Sequence, residues 1–203
     1  MSQSNPVSRK QHILKEIREW IVSIAVALLV VFLLRSFVFT LIRVDGESML
    51  PTLQDGERLF VSVYDVRFGS ADPNDVVICH YPNRGSTYFV KRVVGVPGDS
   101  IYRENGVTHV VYSVETSSGM EIRDEALDPD VSISPYRYEP DFEPYVLGED
   151  EYFVVGDNRY GSHDSRDWND ADPSRDVGPI TKDMITGRVR QVIWPPNSFR
   201  TVR

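Results

Sequence analysis

TYFVKRVVGV, residues 87–96, is a run of aromatic and β-branched residues interrupted by one Lys-Arg pair. Such residues favour a pleated strand, on which successive side chains point to opposite faces. Lys91 therefore shares a face with Phe89 and Val93, while Arg92 points the other way. A lysine alone in an apolar strand ordinarily sends its head out to water. Turned to the same side as Phe89 and Val93, this one is a candidate desolvated amine. The run predicts a β domain.

The stretches around it repeat the pattern: RLFVSVY (58–64), DVVICHY (75–81), SIYR (100–103), VTHVVYSV (107–114), EYFVVG (151–156) and ITGRVRQVIW (185–194). Leu59, Val61 and Val63 fall on one face of theirs. GDS at 98–100 and ENG at 104–106 are turn signals, and ENG reads as a hairpin tip. No convincing helical period follows residue 45, so the expected fold is mainly β, a barrel or sandwich. Residues 115–148 are acidic and carry Pro129, Pro135, Pro140 and Pro144, which predicts a coiled, solvated insertion. The single Cys79 cannot form an intrachain disulfide and reads as a buried strand residue.

The N-terminal part is of another kind. WIVSIAVALLVVFLL (20–34) has Ser23 as its only polar residue, and the stretch continues through Arg35 to Ile42. About 20 apolar residues cross the roughly 30 Å of bilayer hydrocarbon as a helix. The expected organisation is a cytoplasmic segment 1–19, a transmembrane anchor helix 20–42 and an extracytoplasmic domain 43–203. Arg9, Lys10, Lys15 and Arg18 precede the run, which places the N-terminus in the cytoplasm. Trp20, Phe37 and Phe39 suit the interfaces. A cleaved signal peptide is the competing reading, but bulky SFVFTLIRV follows in place of a small-x-small site, which favours an uncleaved anchor. A net charge of −8 argues against a nucleic-acid partner. No His/Asp/Glu/Cys set has metal-ligand spacing, so no metal or other cofactor is expected.

Just past the anchor lies VDGESMLPTL (44–53), whose Ser48 needs an activating base to become a nucleophile. His12 falls on the cytoplasmic side, and His80 and His109 lie within strand-like runs. His163, in GSHDSR beside Asp164, leaves a Ser-His-Asp arrangement open. Ser48 lacks the G-x-S-x-G elbow, because Leu50 stands at the second glycine position. The other option is a neutral lysine, which burial makes accessible by lowering the ordinary pKa of about 10.4. Beyond the anchor only Lys91 and Lys182 exist, and Lys182 beside Asp183 reads as solvated. A third cluster, GDNRYGSHDSR (156–166), reads as a hydrogen-bonded loop that buttresses a site.

An N-terminal anchor followed by SMLPTL (48–53), NDVVI (74–78), KRVVGVPGD (91–99) and GDNRYGSHDSR (156–166), in that order, resembles the bacterial type I signal peptidases. These are membrane-anchored Ser/Lys endopeptidases that remove signal peptides from exported proteins. The resemblance implies Ser48 as nucleophile and Lys91 as general base. It gives Ser162 the task of orienting the amine, Asp164 and Arg166 a bracing salt bridge, and Asp157 and Asn158 a shaping role. It implies a mainly β fold with its site near the bacterial cytoplasmic membrane, signal peptides of preproteins as substrates and the bilayer as partner. A peptide would lie between strands Ile42–Val44 and Tyr88–Val90, with Val44, Met49, Leu53, Phe89 and Val90 lining pockets for small residues at −1 and −3. Two positions depart from the family. Gly46 stands where many members have a serine that serves the oxyanion, and Asn74 stands where glycine is usual. The rivals are a soluble Ser/Lys autoprotease and a non-catalytic, membrane-anchored β module that binds envelope partners.

Overall fold

The computed structural model describes residues 6–82, 84–127, 141–168 and 175–202. The chain forms two compact units that divide between Val38 and Phe39. The first is helix α1, Pro6–Phe37. Its stretch His12–Arg35 is long and apolar enough to cross a membrane. The consecutive Leu28, Leu29, Val30 and Val31 are all exposed along it, so apolar side chains surround the helix instead of forming one core-facing stripe. The helix ends short of the expected boundary at 42. Phe39–Arg43 is a strand instead, because FTLIR is rich in aromatic and β-branched residues and finds a partner in Arg58–Ser62.

The second unit is mainly β, as expected. Its strands are β1 (Phe39–Arg43), β2 (Arg58–Ser62), β3 (Val76–Cys79), β4 (Phe89–Gly95), β5 (Ser100–Glu104), β6 (Val107–Thr116), β7 (Gly119–Ala126), β8 (Phe142–Val146), β9 (Glu151–Val155), β10 (Ile180–Thr181), β11 (Ile185–Trp194) and β12 (Arg200–Thr201). A short helix α2, Tyr64–Phe68, follows β2. Among the described residues, one antiparallel sheet has the order β1-β2-β11-β3-β4-β9-β10, with β12 added to β11. A second has the order β7-β6-β5-β8.

β11 holds the first sheet together. Register shifts at Ile185/Gly187, Val189/Gln191 and Val192/Trp194 bend it, so one strand pairs with β2, β3 and β12. Gly187 allows the close crossing, since a Cβ there would lie 2.7 Å from the Ser62 carbonyl oxygen. The ENG tip is a two-residue turn between β5 and β6, with φ of 52° at Asn105 and 78° at Gly106. Positive φ at both positions matches the twist of the flanking strands.

The expected coil over 115–148 is corrected by the structure. Residues 119–126 form β7, paired along its length with β6, and residues 142–146 form β8 on β5. Every residue of β7 is exposed, so the strand shows no apolar alternation to read from sequence. The acidic stretch 128–140 lies outside the described residues.

The second sheet packs on the β4–β9 region of the first through Ile101, Val110, Leu147, Phe153 and Val155. Phe153 sits at the centre with no exposed surface. Phe153→Ala is expected to lower the unfolding free energy by about 3–5 kcal/mol, from lost burial plus the cavity left behind. Denaturant titration of the detergent-solubilised chain measures it.

Candidate active site

Ser48 sits at the head of a tight turn. Leu50 N–H donates to the Glu47 carbonyl (3.1 Å) and Leu53 N–H to the Met49 carbonyl (2.9 Å). Met49 and Leu53 are buried against Leu59, Val61 and Ile78, which pins the turn by its apolar side chains. Before the serine, Gly46 takes φ +98° and donates its N–H to Asp55 Oδ1 at 2.9 Å. The Ser48 hydroxyl faces β4.

There Lys91 Nζ donates to Ser48 Oγ at 2.8 Å. Lys91 is 2% exposed. Its alternation on β4 is as expected: Phe89, Lys91 and Val93 share the face that packs on Val77 and Cys79 of β3. Nζ lies 6.0 Å from the Phe89 ring centre. Burial pushes the neighbouring Cys79 thiol up to about 12.

The loop 156–166 closes over this pair. Asn158 donates its backbone N–H to the Ser48 carbonyl (3.0 Å) and its side-chain amide to the Glu47 carbonyl (3.1 Å). Asp164 and Arg166, both buried, form a two-pronged ion pair with both bonds at 2.9 Å, and Asp164 also accepts the Gly156 N–H at 2.9 Å. Such pairs must bring their own hydrogen bonds into the interior, and this one does. Gly156 has no room for a side chain: a Cβ would meet Ser162 Oγ at 2.2 Å and the Ser48 carbonyl oxygen at 2.4 Å. Ser162 is thereby placed, buried, against the backbone that carries the nucleophile.

Arg92, on the far face of β4, grips Asp157 with two bonds of 2.7 Å and gives a third to the Asn74 carbonyl. Asn74 holds φ 72° in the place where glycine was expected. The loop is also tied to the second sheet, by Arg159 to the Leu127 carbonyl (2.8 Å) and by Arg103 to the Arg166 carbonyl. His163, the alternative base, is engaged elsewhere, with Nδ1 3.1 Å from Asp167 Oδ2 and Nε2 3.5 Å from Arg84.

A cleft of about 330 Å³ opens beside Ser48. Val44, Met49, Phe89 and Val90 line it, whereas Leu53 does not and is fully buried in the core beneath. Leu41 and Tyr88 also line it, and both are half exposed. A two-residue period counted back from Val44 reaches Ile42 and not Leu41, so the strand pattern does not announce it. Nothing local in the sequence announces the Arg92–Asp157 grip. Among the described residues, no group of three His, Cys, Asp or Glu side chains is placed to hold a metal ion.

Burial pushes the Asp157 carboxyl up, but hydrogen bonds from Arg92 and Thr52, with the charges of Arg92 and Arg159, outweigh it and hold the group below the usual carboxylate range. A carboxyl depressed in the folded state adds stability above its unfolded pKa and loses it as pH falls through the folded value. The unfolding midpoint should therefore drop on acidification from about pH 5 downward, and less steeply in Asp157→Asn. Thermal unfolding across that range measures the difference.

The family described as signal peptidase, peptidase S26, matches residues 17–194. Signal peptidase IB of Staphylococcus aureus (strain COL) is 35% identical over 190 residues, covering 92% of this chain and 94% of that protein. Signal peptidase I S of Bacillus subtilis (strain 168) is 32% identical over 201 residues, covering 97% of each. A solved signal peptidase I from Enterococcus faecalis superposes with a TM-score of 0.36 at 22% identity, over 58% of this chain and 95% of that one. With the family matched across most of its length and relatives this similar from end to end, the chain belongs to the S26 signal peptidases.

Proposed function

We propose that the protein is a serine endopeptidase that removes N-terminal signal peptides from exported preproteins, with Ser48 as nucleophile and Lys91 as general base. The observation that carries this reading is the 2.8 Å bond between the Lys91 amine and the Ser48 hydroxyl, made by a lysine almost wholly shut off from water. Desolvation disfavours the ammonium. Each carboxylate of the loop is paired with a guanidinium, Asp164 with Arg166 and Asp157 with Arg92. A neutral amine there has the lone pair that proton abstraction needs.

In this mechanism Ser48 Oγ attacks the scissile carbonyl as its proton passes to Lys91 Nζ. The oxyanion meets the Ser48 backbone N–H, a donor fixed by the turn. Collapse breaks the C–N bond, and Lys91 returns the proton to the departing amine. Lys91 then takes a proton from water, which attacks the Ser48 ester and frees the enzyme. Asn158 supports the geometry by holding the Ser48 carbonyl, and Ser162 by lying against the same backbone.

The substrate lies in the cleft as an added strand. Among the described residues, β1 is an edge strand, and β4 has a partner on its β9 side only from Arg92 onward. A peptide between Leu41–Val44 and Tyr88–Val90 fills that notch. Val44, Met49, Phe89 and Val90 leave shallow apolar walls that admit small side chains at −1 and −3. About fourteen residues separate Leu34 from Ser48, so an anchor spanning the bilayer brings the site to the depth at which a signal peptide leaves its apolar core. The basic residues before the apolar run set the N-terminus in the cytoplasm and the β unit outside.

A non-catalytic binding module would gain nothing from sinking a lysine beside a serine. Ser48→Ala and Lys91→Ala should each abolish cleavage of a preprotein in detergent while leaving the unfolding midpoint within a few degrees, whereas His163→Ala should keep most of the activity. Processing assays decide it: cleavage by either dyad variant ends the assignment.

A further inference from the structure

The nucleophile turn is held at its far end by a residue near the other end of the chain, and the geometry points to Arg200 as a positioning residue for Ser48. Arg200 lies on β12, paired with Val192 of β11. All four hydrogens of its terminal nitrogens are used. Nη1 donates to Glu57 Oε1 (2.6 Å) and the Ser198 carbonyl (3.0 Å). Nη2 donates to Glu57 Oε2 (2.8 Å) and the Thr52 carbonyl (2.6 Å).

Glu57 is itself part of the turn. It is 3% exposed, accepts the Gln54 N–H at 3.1 Å, and its carbonyl accepts the Val44 N–H at 2.8 Å. Burial pushes its carboxyl up, but the bonds from Arg200 and Gln54 outweigh this and hold it below the ordinary value. The Arg200 fork therefore fixes both sides of the segment that carries Ser48, with Val44 before it and Thr52 to Glu57 after it.

Thr52 is the junction. Arg200 takes its carbonyl, and Thr52 also helps hold ionised the Asp157 carboxyl, which Arg92 grips from the residue next to Lys91. Arg200 thus holds the far end of the turn, while Asn158, next to the Asp157 that Arg92 grips, holds the Glu47 and Ser48 carbonyls at its head. The two together fix the nucleophile's turn independently of the Lys91–Ser48 bond. Arg200 touches no reacting atom; it acts through the turn. A lysine cannot replace it, because one ammonium cannot address Glu57, Ser198 and Thr52 from two separated nitrogens.

The inference rests on the Ser48/Lys91 reading, and the experiment separates the two. Preprotein cleavage is measured with the full chain in detergent for wild type, Arg200→Ala, Arg200→Lys, Ser48→Ala and, as a control, Arg190→Ala. Arg190 forms a comparable surface ion pair with Asp65 on the same sheet, away from the turn. Arg200→Ala and Arg200→Lys are expected to lower kcat about tenfold or more with KM changed less than twofold, well below their unfolding temperatures, since small misplacement of a nucleophile is felt in the chemical step. Arg190→Ala should match wild type. Added guanidinium at low millimolar concentration should restore part of the kcat of Arg200→Ala but not of Arg200→Lys, whose own side chain fills the site. An unchanged kcat in Arg200→Ala, or a loss matched by Arg190→Ala, overturns the inference. So does a loss that follows only the unfolded fraction. Activity surviving in Ser48→Ala would instead overturn the reading beneath it.

Discussion

An amine removed from water sets the terms for everything around it. Taking a lysine charge into the interior costs several kcal/mol even after the protein relaxes, so Lys91 must either keep a counter-charge or lose its proton. The carboxylates of the loop, Asp157 and Asp164, each take an arginine with two bonds. Beside Lys91 lie the Ser48 hydroxyl, the Phe89 ring and the apolar face shared by Val77 and Cys79. Strand periodicity makes this possible: the residue that follows Lys91 necessarily faces the other way, so one Lys-Arg dipeptide serves the base on one side of the sheet and the loop on the other.

The loop 156–166 shows how a polar segment is made rigid without an apolar core of its own. Arginines grip it or cross it. Arg92 takes Asp157, Arg166 takes Asp164, and Arg159 reaches out to Leu127. Planar guanidinium forks fix direction as well as distance, which a lysine at the same place would not. Trp168, just beyond the loop, packs its ring against Phe142, Tyr145 and Phe153, so the second sheet acts as a backstop for the site.

Much of this was legible in the amino-acid order, and the gaps have physical causes. Strands buried on at least one face announced themselves: ITGRVRQVIW is β11 residue for residue, and the alternation around Lys91 gave its facing. β7 did not, because GMEIRDEA is exposed on both sides and its side-chain bonds to Tyr102, His109 and Tyr112 are polar, leaving charge where a reader looks for apolar period. The end of α1 was misplaced because SFVFTLIRV is apolar enough to continue a membrane helix; only pairing with β2 turns it into a strand. Within the site, Ser48, Lys91 and the loop were marked by composition. The Arg200–Glu57 pair spans 143 positions of sequence and had no local mark at all. Leu53 looked like a pocket residue and proved to be core, since a turn residue's facing cannot be read from a two-residue period.

Gly46 carries a consequence of handedness. Its φ of +98° belongs to the region that L-residues avoid, yet a side chain there would touch nothing within 4 Å. Bulk is therefore not what excludes other residues from the position; chirality is. A D-alanine introduced by chemical synthesis would sit there without strain, whereas an L-serine would first have to rewind the peptide units on either side. A hydroxyl therefore cannot simply be grafted onto position 46 while the main chain keeps its present path.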